Sequence, residues 1–98
     1  MNFGQAIEAL NQGKMIQRTS WNDKDLFVFK QAVSSIRKDI IPNMQLLPQL
    51  VKDEFEKRTN YNFIYYANQL ALVDKTNLIT GWSPSPSDAL AEDWVIYN

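Results

Sequence analysis

Ninety-eight residues with 45% hydrophobic side chains suit one globular domain spanning residues 1–98, enough for one core and too few for two. The formal charge of −1 and the scatter of the ten basic residues leave no run that could track a phosphate backbone, so duplex nucleic acid is not an expected partner. With no cysteine and no histidine, disulfides, thiolate nucleophiles, imidazole bases and most zinc sites are excluded, and no metal or cofactor is expected.

In chain order, Asn2 can cap a first helix with Gln5 reaching back at its third position. Phe3, Ala6, Ile7 and Leu10 recur at helical spacing until Gly13 ends the run. Met15 to Arg18 reads as a strand, Ser20 to Asp25 as a polar turn carrying Trp21, and Leu26 to Lys30 as a second strand rich in β-formers. Residues 31–43 keep no period and are expected to be irregular. Pro48 opens a helix to about Arg58, with Leu47, Leu50, Val51 and Phe55 on one face and Lys52, Asp53, Glu56 and Lys57 in water. Tyr61 to Ala67, Leu70 to Val73 and Leu78 to Trp82 then read as three antiparallel strands joined by short turns.

The densest stretch closes the chain. Trp82 is followed by Ser83-Pro84, then by Ser85-Pro86-Ser87-Asp88, in which Ser85 caps a short helix, Pro86 opens it and Asp88 completes a capping box. Trp94 to Tyr97 offers a last strand. Helices and strands are segregated, which predicts an α+β fold: a small antiparallel sheet with an N-terminal helix, a central helix and a short C-terminal helical turn. No apolar run approaches the ~20 residues needed to cross a bilayer and the start lacks a leader pattern, so no membrane partner and a cytosolic location are expected.

Three pieces together carry a resemblance. They are Met1-Asn2-Phe3-Gly4-Gln5-Ala6 through Gly13, Arg18 to Trp21-Asn22, and the terminal Trp82-x-Pro84-Ser85-x-x-Asp88-x-Leu90-x-x-Asp93-Trp94 pattern. The chain resembles the phage-encoded anti-Thoeris sponge family, Thoeris anti-defence protein two; Ile41-Pro42-x-Met44-x-x-Leu47-Pro48 and Asn68-Gln69-Leu70-Ala71 extend the likeness over most of its length. The resemblance implies a homotetramer in the cytoplasm of an infected bacterial host. It would bind and sequester a cyclic ADP-ribose isomer made by a TIR-domain immune sensor, without catalysis. Some relatives also hold cyclic oligonucleotide signals. Where many members read Trp-Asn-Gly-Lys-Gly, this chain has Trp21-Asn22-Asp23-Lys24-Asp25, so two carboxylates replace two glycines.

The expected ligand-binding residues are Trp21, Trp82, Ser85, Ser87, Asp88, Arg18 and Thr80. Trp21 and Trp82 can stack on a base or ribose, and equally can anchor a core or a subunit interface. Arg18 can fork onto a phosphate or form a salt bridge. Ser85, Ser87 and Thr80 can donate to phosphate or ribose oxygens, or serve only in turns and caps. Asp88 can accept from ribose hydroxyls or merely complete the cap. Trp94, beside Val95 and Ile96, is expected to be structural. Tyr61, Tyr65 and Tyr66 crowd one segment whose outer face suits another subunit. Two other functions remain open: an interaction module with no small ligand, and a hydrolase using Asp88, Glu92 or Asp93.

Overall fold

The computed structural model describes residues 1–98, which divide into two compact units. The fold is α+β.

The first unit comprises Met1–Ala32 and Asn68–Asn98. Helix α1 spans Phe3–Asn11; the Asn2 carboxamide accepts from the Gln5 N–H at 2.8 Å while the Gln5 side chain accepts from the Asn2 N–H at 2.9 Å. Gly13 ends it at φ +84°, a conformation in which a Cβ would be strained. Strands β1 (Met15–Arg18), β2 (Phe27–Gln31), β5 (Gln69–Val73), β6 (Ile79–Gly81) and β7 (Trp94–Tyr97) form one antiparallel sheet in the order β6-β5-β2-β1-β7. Helix α3 (Pro86–Leu90) precedes β7.

Registers align Ile16 with both Val28 and Ile96, and Arg18 with Trp94, so these side chains share one sheet face. Ala6, Ala9 and Leu10 of α1 are buried with Ile16, Val28 and Trp94 in a single core cluster. Burying this apolar stripe is what fixes α1 on the sheet, since a nine-residue helix is marginal alone.

The second unit, Val33–Ala67, contains β3 (Ser34–Arg37), a 3₁₀ segment (Lys38–Asn43), helix α2 (Gln49–Lys57) and β4 (Phe63–Tyr66). Strands β3 and β4 pair antiparallel with Ile36 opposite Ile64. Residues 31–43 are thus not irregular. Ser34 and Ser35 carry little strand signal of their own, and the partner strand supplies the ladder.

Nor do the strands near Tyr61 and Leu70 form a hairpin with each other. β5 pairs along its whole length with β2, from Phe27–Val73 to Gln31–Gln69, leaving β4 to β3. Tyr61 lies before β4, and Tyr65 and Tyr66 are both exposed on opposite faces of the strand. Helix α2 has its expected span but buries no residue: Leu50 is 83% exposed, whereas Lys52 and Asp53 are half-buried. A 35-residue unit has too little interior to cover every apolar side chain of its helix. No helix is long and apolar enough to cross a membrane.

Candidate functional site

β1 and β7 place Arg18 beside Trp94, at the end of the sheet face that α1 covers. The Arg18 guanidinium is shared between two carboxylates: Nε donates to Asp93 Oδ1 and Nη1 to Asp88 Oδ1, each at 2.9 Å. The partners raise the Arg18 pKa, Asp93 the more strongly and Asp88 next. Asp93 is held far below the ordinary carboxylate range, first by the Arg18 fork and further by Ser20. At Asp88, burial pushes upward but is outweighed by bonds from Ser85 and Arg18, and the net shift is downward.

Asp88 is also the third residue of α3. Its N–H donates to Ser85 Oγ and its Oδ2 accepts from the Ser85 N–H, both at 3.0 Å, completing the capping box that the sequence predicts. Those bonds already satisfy the Ser85 and Asp88 amides. Ser87, by contrast, is exposed at the start of the same helix.

Trp94 is fully buried, in line with its expected structural role. Its indole N–H donates to the Asp88 carbonyl at 3.0 Å, tying β7 to α3. Trp21 and Trp82 both stand edge-on to it, with ring centroids at 5.5 and 6.0 Å, and Phe3 of α1 completes the cluster at 5.5 Å. Trp21 and Trp82 are each half-buried, so each has one side in the core and one in solvent.

The loop bearing Trp21 is fastened at both ends. Asp93 Oδ2 accepts from the Ser20 N–H at 3.0 Å and the Thr19 hydroxyl at 3.3 Å, while Gln17 Nε2 donates to the carbonyls of Lys24 at 2.7 Å and Leu26 at 2.8 Å. Asp23 accepts from the Asp25 N–H at 2.9 Å, and neither aspartate has a positive φ, so replacing glycine there costs no left-handed strain. Lys24 Nζ donates to the Thr19 carbonyl at 2.6 Å.

Six of the seven expected residues therefore lie in or around one neighbourhood: Arg18, Asp88 and Ser85 joined by direct bonds, Ser87 on the same short helix, and Trp21 and Trp82 against Trp94. Thr80 lies on edge strand β6, two residues before Trp82, and is exposed opposite Leu72. Asp93 fastens both Arg18 and the Trp21 loop, a role that the sequence signals only through the terminal Asp93-Trp94 pair. Glu92 lies beyond the end of α3 and is exposed, so it does not share a helix face with Asp88. No group of three or more acidic side chains is placed to hold a metal ion.

The family model described as the Thoeris anti-defense 2-like domain matches residues 1–97. The chain belongs to this family. It is also 31% identical over 96 residues to Thoeris anti-defense 2 of Bacillus phage SP01, an alignment covering 98% of this chain and 93% of the relative. Within the Thoeris anti-defense 2-like domain, the matched span takes in both the Trp21 loop and the α3 capping box, the two features that meet at Arg18 and Trp94.

Proposed function

We propose that this chain is a phage anti-defence protein, a single signal-binding domain that sequesters a cyclic ADP-ribose isomer made by a bacterial TIR-domain sensor. It acts as a homotetramer in the cytoplasm of the infected host and does not turn the ligand over. The observation that carries the reading is family membership across residues 1–97.

The local geometry supports a binding role more than a catalytic one. The half-exposed faces of Trp21 and Trp82 offer walls for a base or ribose, and the Ser87 and Thr80 hydroxyls are open to ligand oxygens. Arg18, Asp88 and Ser85 frame these walls and can exchange an internal partner for a ligand group. Rigid walls and a loop fastened by Asp93 and Gln17 lose little entropy on binding, which favours retention.

Calorimetric titration with the cyclic ADP-ribose isomer, with linear ADP-ribose as control, tests this reading. Tight, selective heat and recovery of intact ligand after heat denaturation are expected, and Trp82→Ala weakens binding at least tenfold with the assembly unchanged by light scattering. Hydrolysed ligand would sink the trap in favour of a hydrolase. Binding of a cyclic oligonucleotide alone would transfer the trap to that signal. The second reading, an interaction module without a small ligand, draws on the mutual saturation of Arg18, Asp88 and Asp93. It predicts no heat with any nucleotide.

A further inference from the structure

The second unit carries a cleft of about 720 Å³ between the 3₁₀ segment, one face of α2 and residues 61–63. That volume falls within the roughly 300–1,000 Å³ typical of small-molecule sites. Its walls are set by bonds between the elements. The Lys38 N–H donates to the Asn62 carbonyl at 2.8 Å, and the Tyr61 hydroxyl donates to the Phe55 carbonyl at the end of α2 at 2.6 Å. Phe55 and Tyr61 lie with ring centroids 6.3 Å apart and planes inclined by 53°, so the two rings form an angled apolar wall.

The cations of this cleft are of two kinds. Arg37 is committed to Asp39 through two bonds, at 3.1 and 2.6 Å. Lys38 and Lys52 have no carboxylate partner. The Lys38 ammonium lies 4.9 Å from the centre of the Tyr61 ring, and half-buried Lys52 donates to one acceptor, the Pro42 carbonyl, at 3.2 Å. An ammonium has three donors, so both lysines keep capacity for an anion next to the aromatic wall. Glu56 also lines the cleft, which disfavours a long polyphosphate and leaves room for a short one. In the first unit the half-buried cation Arg18 is shared by two aspartates, whereas the two cleft lysines carry no carboxylate.

We propose that this cleft binds a phosphorylated aromatic metabolite of the nucleoside mono- or diphosphate class. The ring lies against Phe55 and Tyr61, and the phosphate is held by the Lys38 and Lys52 ammonium groups. The cleft belongs to the second unit and the tryptophan cluster to the first, and the proposal does not depend on the function proposed above.

The three tryptophans all belong to the first unit, which makes the two sites spectroscopically distinct. The full chain, labelled with nitrogen-15, would be titrated with the mono- and diphosphates of adenosine, guanosine, cytidine and uridine, with the bare nucleosides and inorganic phosphate as controls. Saturable shifts of the amides of residues 37–39, 52–56 and 61–63 are expected, with the tryptophan indole N–H signals unmoved. Nucleosides and inorganic phosphate should each bind at least tenfold more weakly than the best nucleotide. The double variant Lys38→Gln, Lys52→Gln, altering two side chains outside the buried core, should retain its fold and lose at least tenfold in affinity. No saturable cleft shift with any nucleotide at millimolar concentration, shifts confined to the indole signals, or unchanged affinity in the double variant would each overturn the proposal. Failure of the cyclic ADP-ribose titration would leave these shifts unaffected.

Discussion

Arg18 and Asp93, separated by seventy-five residues, meet through a 2.9 Å bond from Nε to Oδ1, and the same guanidinium reaches Asp88 through Nη1. One side chain thereby joins the end of β1 to both the start of β7 and helix α3. A fork with two faces is needed for this, and an ammonium at the end of a flexible stem supplies only a point charge. Arg18→Lys is therefore expected to lower the melting temperature and to loosen α3. The measurement is hydrogen exchange at Ala89 and the Trp94 indole; unchanged protection at both would refute the joint.

Acid should act on the same joint. Asp93 and Asp88 both titrate below their ordinary value in the folded chain, Asp93 chiefly through Arg18 and Asp88 through Ser85 and Arg18 against the opposing effect of burial. The unfolded chain takes up protons near the usual carboxylate pKa of about 3.9, while the folded chain resists them. The stabilisation is thus complete above that value and is lost as pH falls through the lowered folded values. Thermal melts between about pH 5 and pH 2 should show a falling melting temperature, and Asp93→Asn should show a shallower fall.

Local signals made α1, β1, α3 and β7 legible. Asn2 with Gln5 and Ser85 with Asp88 form reciprocal caps within four residues of chain, and Gly13 marks a stop that only its backbone freedom explains. Pairing was a different matter. That Leu72 would meet Val28 instead of β4 depends on which strands reach one another in space, and no residue near either one encodes it. The candidate site divides in the same way. The types of its residues could be read from the terminal motif, but the commitment of Arg18 to Asp88 and Asp93 joins positions far apart in the chain.

Trp94 is the buried hub of the aromatic cluster, so its removal should be the most damaging single change in the first unit. Truncation of such a side chain costs about 3–5 kcal/mol, and Trp94→Ala should approach complete unfolding. Trp94→Phe keeps most of the ring but leaves the Asp88 carbonyl without its indole donor, for a loss of about 1–3 kcal/mol. Urea titrations followed by circular dichroism would rank the two; equal losses would show that the indole bond contributes nothing.

The two serines of α3 should separate cleanly. Ser85 accepts from the Asp88 N–H, and Ser85→Ala is expected to cost about 0.5–2 kcal/mol in chemical denaturation. Ser87 is exposed, and Ser87→Ala should stay within about 0.5 kcal/mol of the parent. If Ser87→Ala nevertheless weakens binding of the cyclic ADP-ribose isomer, the hydroxyl contacts ligand; if both stability and binding are unchanged, Ser87 leaves the proposed site.

Two glycines should respond to alanine with opposite signs. Gly13 has open space where a Cβ would stand but holds φ +84°, so the obstacle to a side chain is the backbone itself. An L-residue in the left-handed region costs about 1–2 kcal/mol, and Gly13→Ala should destabilise by that amount despite adding no clash. Gly4 sits in the first turn of α1, where an added Cβ would come 3.4 Å from the Asn2 Oδ1 that caps the helix, an ordinary contact. Alanine there removes backbone freedom from the unfolded chain, and Gly4→Ala should stabilise by up to about 1 kcal/mol. Parallel urea melts decide the matter: a loss in Gly4→Ala would mean that the methyl displaces Asn2 from its cap, and no loss in Gly13→Ala would mean that the helix can end without the left-handed turn.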